Sequence, residues 1–444
     1  MTTNAPQTAQ GREQASASRP PKAEDRAWSG GLHDRGEAVC ITGIGALGPQ
    51  GAGYRSIEAL IDQPRHCFSP RPADWPEWRG VPDAWVAALD PSAWERASPH
   101  DSLSTDRACA LALAASDEAW TQAAVSAMPG RSGVFWGTGM GGLHSTETSY
   151  QRLLLDGQAL RPMTVVRIMG NSAAAQIATR FGLRGPNMTY TVACASSAIA
   201  LGEAMLAIRS GRVDVAIAGG SEAMLLPGVL AAWGALRVLS TRQTVSDVAM
   251  ACRPFGAGRS GLVIGEGAAA FVLESAAHAR NRGATPLAWL SGYGQSCDAA
   301  SLVHPQIDGQ LDAMRAAIAD AGLSTSDIGS VNVHATGTDA GDLVEAQALS
   351  ELFGADPIPP VCASKSMHGH LLGAAGAIEA AICVASLARQ LVPATPGHLP
   401  LDPRCAAVPI STTARSHPMR HILSNSFAFG GTNAALVLSS DQTG

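Results

Sequence analysis

The chain has 444 residues, 46% of them hydrophobic and only 15% charged, with a formal net charge of −6. That length holds two or three ordinary domains or one large double domain, and the composition is that of a folded α/β protein rather than a disordered or fibrous one. No basic block suited to phosphates is present, so no nucleic-acid partner is expected; the nine cysteines stand singly, without zinc-ribbon or CxxC spacing, so no metal is expected.

Residues 1–36 are rich in Gln, Ser, Ala, Pro and charge, without apolar period, and read as a disordered leader. They contain no apolar signal-peptide core, and with an odd number of cysteines this fits a reducing, cytoplasmic setting. Order is expected from "AVCITGIGALGPQG", a buried strand and a glycine-rich turn. Strand and helix patterns then alternate. "SGVFWGTGMGG" is strand and turn, "SAAAQIATRFGLRGP" is helix with a Gly stop, and "VDVAIAGGSEA" and "AAAFVLES" are strands. "PLAWLSGYGQS" opens a second series. It runs through the helix "DGQLDAMRAAIADAGLS", the strand "VNVHATGT", a helix from Gly341 to Phe353 and a long helix after His370, to the strand–turn–strand "HILSNSFAFGGTNAALVLS". Alternating units of this kind predict α/β architecture with parallel or mixed sheets. Both series open and close on a strand, which hints at duplication, with halves at 37–283 and 284–444. The run "LLGAAGAIEAAICVASLA" (371–388) is long enough for a membrane span, but it stands alone and carries Glu379 at its centre. It is expected to be a buried core helix, with no membrane partner.

Cys194, in "TVACASSAIALGEAM", follows a strand-like run (Thr189–Val192) and precedes an alanine-rich helical one. Orphan N–H groups and the positive dipole end at a helix start favour an anion, so a thiol there is expected to ionise more easily and act as a nucleophile. A buried structural cysteine is equally compatible with this stretch alone. His334 closes a buried strand ahead of a Thr- and Gly-rich loop, where sites gather in α/β sheets. Lys365, His368 and His370 precede the apolar helix, and Gly430-Gly431 forms a turn directly after Phe429. A thiol and two imidazoles on separate loops suggest covalent acyl chemistry. "GIGALG" and "GTGMGG" lack the full dinucleotide fingerprint, so no nicotinamide cofactor is assigned.

Taken together, "TVACASSAIALGEA", "HATGTDAGDLVEA", "SKSMHGHLLGAAGAIEA" and "NSFAFGGTNAALVL", in this order and spacing, resemble the β-ketoacyl-acyl carrier protein synthases of the thiolase superfamily, from about Val39 to Leu438. The resemblance implies a duplicated five-layer αβαβα fold. It also implies a decarboxylating condensation of an acyl-Cys194 thioester with malonyl-carrier protein, in type II fatty acid synthesis or a specialised polyketide or polyene system. By the same resemblance, His334 and His370 assist loss of carbon dioxide, and Lys365 pairs with Glu379. The N–H groups of Cys194 and Phe429 form an oxyanion hole, Phe429 gates the acyl pocket, and Thr336 and Thr338 hold the pantetheine arm. Met140 lies deep in the acyl pocket near a partner subunit, and Trp233 lines that pocket. No cofactor is implied beyond the phosphopantetheine of the carrier protein, and the partners implied are that carrier and a second ketosynthase-type subunit, identical or related. The chain departs from the family's frequent residues at His368 (often Thr), Asp339 (often Pro), Ala428 (often Gly) and Trp233 (often Phe). Two alternatives are a non-catalytic chain-length-factor subunit, which usually lacks the nucleophile, and a thiolase, whose second cysteine is absent from "NSFAFGGTN".

Overall fold

Two sets of five strands meet at a short antiparallel seam. The computed structural model describes residues 37–75, 80–126, 128 and 130–441, so the leader expected over 1–36 lies outside the described residues. The first set is β1 (Val39–Gly48), β2 (Ser132–Gly137), β3 (Asn187–Tyr190), β4 (Val215–Glu222) and β5 (Gly267–Ser275). The second is β6 (Ala288–Cys297), β7 (Ser330–Asn332), β8 (Val361–Cys362), β9 (His421–Phe427) and β10 (Thr432–Ser439). The order across the sheet is β8-β7-β9-β10-β6-β1-β5-β4-β2-β3, and β1 touches β6 only over Val39–Ile41 and Ala288–Leu290.

Counted outward from that seam, each set runs first, fifth, fourth, second, third strand. The pairing senses repeat as well: antiparallel for the two inner pairs, parallel for the two outer ones. So do the irregularities. The β1/β5 register slips between Ile41 and Gly43, and the β6/β10 register slips between Leu290 and Gly292. At the slip a helix lies against bare backbone. A Cβ on Gly43 would stand 2.0 Å from the Ala119 carbonyl oxygen of α1 (Arg107–Ala123). A Cβ on Gly292 would stand 2.2 Å from the Ala317 oxygen of α3 (Ile307–Asp320). Only glycine permits such an approach.

Between the two sets of strands run α2 (Ser196–Arg209) and α5 (Ala375–Arg389), while α1 covers one outer face and α3 and α4 (Asp339–Phe353) the other. A helix between two sets of strands has no wet side. Accordingly every residue of α5 from Ala375 to Leu387 is buried. The segment Leu372–Arg389 is apolar and long enough to cross a membrane, yet 89% of it is buried inside the fold. It is the core helix expected from the sequence. Both central helices follow a 3-10 turn, Ala193–Ala195 before α2 and Leu372–Ala374 before α5. Each turn opens on a non-glycine residue with positive φ, Ala193 (46°) and Leu372 (51°). Such backbone is uncommon and strained, and it concentrates at sites.

Candidate active site

The strained turn after β3 carries Cys194 at its centre, 6% exposed. His370 lies in the loop ahead of the matching turn, and its backbone is pinned on both sides. Its N–H donates to Val263 O at 2.7 Å, and its carbonyl accepts from Gly265 N–H at 2.9 Å. Ile264–Gly265 is itself a strand paired with Val86–Ala87. This places His370 Nε2 2.9 Å from Cys194 Sγ. His334 follows β7 by two residues. Its N–H and that of Ala335 donate to the Glu345 carboxylate at 2.8 and 2.7 Å, and Asn425 Nδ2 donates to the same group at 3.1 Å. The two imidazoles meet edge to face, centroids 5.3 Å apart. Cys194 Sγ and one nitrogen from each ring lie within 4.8 Å of one another.

The electrostatics correct one expectation. A helix start was expected to ease ionisation of Cys194, but burial pushes the thiol up to about 12, against the Lys365 charge and the Phe429 N–H, which act the other way. Partial charges at one helix turn do not offset full desolvation of a thiolate. The resting group is therefore a thiol with an acceptor at hydrogen-bond distance. Burial, and then the Lys365 charge, hold His334 and His370 well below the usual imidazole range, so both rings are neutral and able to accept or donate. Lys365 Nζ and Glu379 Oε1 form an ion pair with no exposure on either side chain. Burial still lifts Glu379 to about 7, with Lys365 opposing.

The thiol opens into a cavity of about 400 Å³ lined by His334, His370, Thr336, Thr338, Trp233 and Phe429, among others. The Thr336 and Thr338 hydroxyls are 3.1 Å apart. Trp233 and Phe429 stack at 5.8 Å, closing one side. Phe429 leads into Gly430 and Gly431, both at positive φ (90° and 78°), and its own N–H points at Cys194. Met140, expected deep in the acyl pocket near a partner subunit, faces outward on this chain. Its side chain is 51% exposed on this chain and does not line the cavity. The reason is local. The N–H groups of Gly139 and Met140 turn inward to the buried Glu222 carboxylate at 2.6 and 3.4 Å, which sends the Met140 side chain outward. His368 is fully buried but absent from the cavity wall. Three residues that matter here escaped the sequence reading: Glu345, Glu222 and Arg259. The spacing of Asp342 and Glu345, one helical turn apart after the Thr-Gly-Thr loop, was the available signal for the first.

A duplicated mixed sheet packed against two buried helices, with a thiol and two imidazoles gathered beside them, defines the thiolase-like class of α/β proteins. The N-terminal domain of β-ketoacyl synthases matches residues 36–279 and the C-terminal domain matches residues 287–398. The chain belongs to the β-ketoacyl synthase family. Nodulation protein E of Rhizobium meliloti (strain 1021) is 39% identical over 404 residues, covering 90% of this chain and 98% of that protein. The 3-oxoacyl-acyl-carrier-protein synthase 2 of Staphylococcus aureus (strain COL) is 38% identical over 311 residues, 69% of this chain and 74% of that one. The ishigamide ketosynthase/chain length factor structure superposes with a TM-score of 0.83 at 30% identity, covering 91% of this chain and 99% of that one.

Proposed function

We propose that the protein is an elongating β-ketoacyl-acyl carrier protein synthase. The observation that carries this is the 2.9 Å contact between His370 Nε2 and Cys194 Sγ, with His334 beside it and an open cavity in front. The Cys194 proton passes to His370 Nε2 as Sγ attacks the thioester carbonyl of an acyl-carrier protein. The N–H groups of Cys194 and Phe429 receive the developing oxyanion. The intermediate collapses, and the carrier thiol leaves with the proton. Malonyl-carrier protein then enters. His370, left neutral with its proton on Nδ1, exchanges through water to the Nε2–H tautomer, and it and neutral His334 donate from Nε2 to the thioester carbonyl. The bond to the carboxylate breaks, carbon dioxide leaves, and the enolate carbon attacks acyl-Cys194. The β-ketoacyl chain departs on the carrier, and the thiolate is reprotonated by one proton taken up from water, relayed through His370 as its ring returns to the Nδ1–H tautomer.

Thr336 and Thr338 hold the pantetheine arm on the cavity wall, and burial, together with the charge of Lys365 held by Glu379, keeps both imidazoles neutral. The presence of Cys194 favours this role over that of a chain-length-factor subunit. A second ketosynthase-type subunit, identical or related, covers the exposed apolar run Leu153, Leu154, Leu155, Val165 and Met169. The setting is cytoplasmic, and the pathway is type II fatty acid or specialised polyketide or polyene synthesis. Acyl-enzyme is detected by intact mass and condensation by release of labelled carbon dioxide from malonyl-carrier protein. His334→Ala retains acyl-enzyme and loses carbon dioxide release by a factor of roughly 10² or more. Undiminished release in that variant refutes the assignment.

A further inference from the structure

The Thr336–Thr338 loop is held along its whole length by one segment, residues 252–261. Cys252 Sγ–H reaches the Thr336 carbonyl at 3.7 Å, and Gly261 N–H donates to the Gly337 carbonyl at 3.1 Å. Arg259 holds the next two carbonyls, with Nε on Thr338 O at 3.0 Å and Nη2 on Asp339 O at 2.8 Å. Its Nη1 donates to Gly256 O and to Asp402 Oδ2, at 3.2 and 2.7 Å. The Arg259 side chain is 1% exposed, so all these bonds are made away from water. Outside it the charges continue. Asp339 Oδ1 accepts from Arg259 Nη2 at 3.2 Å and from Arg404 Nη2 at 2.6 Å, and Arg404 returns to Asp402 at 2.7 Å. Arg259, Asp339, Arg404 and Asp402 thus close a ring, of which Arg259 and Asp339 line the cavity. Neither a lysine nor a neutral side chain reproduces its forked geometry.

We infer that Arg259 is a positioning residue for carrier-borne thioesters, fixing the Thr336 and Thr338 hydroxyls through their backbone, and that Asp339 is the specificity-determining link between that clamp and the surface. The inference rests on the proposed condensation, because it assigns the loop to the arm that delivers the thioester. Asp339 isolates the effect cleanly. It is the first residue of α4, where proline fits, and Thr338 before it is extended (φ −89°, ψ 149°), the conformation a following proline requires. Asp339→Pro therefore removes the carboxylate and keeps the backbone.

The test measures KM and kcat for malonyl-carrier protein, with iodoacetamide reactivity of Cys194 and thermal melting as controls. Arg259→Met should raise KM about ten-fold at nearly constant kcat, the scale of one lost hydrogen bond to a charged group. Arg259→Lys should recover part of that rise, and Asp339→Pro should raise KM two- to five-fold with Cys194 reactivity unchanged. Unchanged KM in Asp339→Pro overturns the link to the surface. Arg259 variants that lose kcat in proportion to their folded fraction, with KM constant, show a purely structural role and overturn the positioning role. A wild-type chain that condenses no carrier substrate defeats the proposed function instead, which separates the two failures.

Discussion

His368 offers the sharpest test of the electrostatic reasoning. It is fully buried, its Nε2 meets Ser364 Oγ at 3.1 Å, and its Nδ1 has no partner among the described residues. Burial, and then the Lys365 charge, lower its pKa from 6.5 to about 3. The folded state thus keeps the ring neutral while the unfolded state protonates it below 6.5. The unfolded chain binds more protons across that window, so this stabilising contribution is whole above 6.5 and drains away as pH falls toward 3. Between pH 7.5 and 5.0 the loss amounts to about 2 kcal/mol. Replacing the ring by threonine, the residue common here in the family, removes that dependence. At pH 7.5 the replacement loses a bond and some packing but also an orphaned buried nitrogen, so the two changes largely offset. The assay is urea unfolding of wild type and His368→Thr at both pH values. His334 and His370 destabilise on acidification in the same sense, while Glu222, Asp342 and Glu379, each raised to about 7, act in the opposite sense. Those groups are common to both proteins and cancel in the difference, apart from the smaller effect of the His368 charge on His370. Equal pH dependence in wild type and variant would refute the argument that burial and Lys365 keep His368 neutral.

The buried pair should be non-additive. Lys365→Met leaves Glu379 unpartnered at a cost of about 3–5 kcal/mol, and adding Glu379→Leu should restore most of it in denaturant melts; additive losses would mean no pairing. Iodoacetamide at neutral pH should label the exposed Cys297 before Cys194, whose thiol is buried and pushed up to about 12, and peptide mass spectrometry reads the order. Gly292→Ala should cost roughly 1–3 kcal/mol or more, because the added carbon meets a backbone oxygen that no side-chain motion can clear, and a denaturant midpoint equal to wild type would contradict that approach.

Much of the site was legible in the sequence because its chemistry lies in residue types that composition does not explain. A cysteine in a small-residue run, histidines on loop edges and a carboxylate inside an apolar helix each called for a partner. The sheet order was not legible, since β7 and β8 have three and two residues and carry no period of their own. The ionisation of Cys194 was misjudged because helix position can be read locally, whereas desolvation depends on what covers the thiol from distant segments. The outward turn at Met140 was not legible for a similar reason: a carboxylate 82 residues away meets its backbone N–H. Arg259 passed unnoticed because its partners span residues 256 to 402.

The repeated strand order implies a second set of equivalent positions in every chain. Ser132 pairs Val215 as Ser330 pairs Ile422. Those registers set Thr138-Gly139-Met140 opposite Thr336-Gly337-Thr338 and Glu222 opposite Phe429. The matching 3-10 turns set Gly373 opposite Cys194. At this mirror position the nucleophile is missing and a buried carboxyl group is built in. The Glu222 carboxylate takes the N–H groups of Gly139 and Gly373 at 2.6 and 3.0 Å. A side chain at Gly373 would come within 2.1 Å of the Gly139 nitrogen. One copy of the frame opens on a cavity at Cys194, while the other ties the Gly373 N–H to its own Glu222 carboxyl group. A single chain thereby holds one thiol site open to a cavity and a counterpart filled by its own carboxyl group.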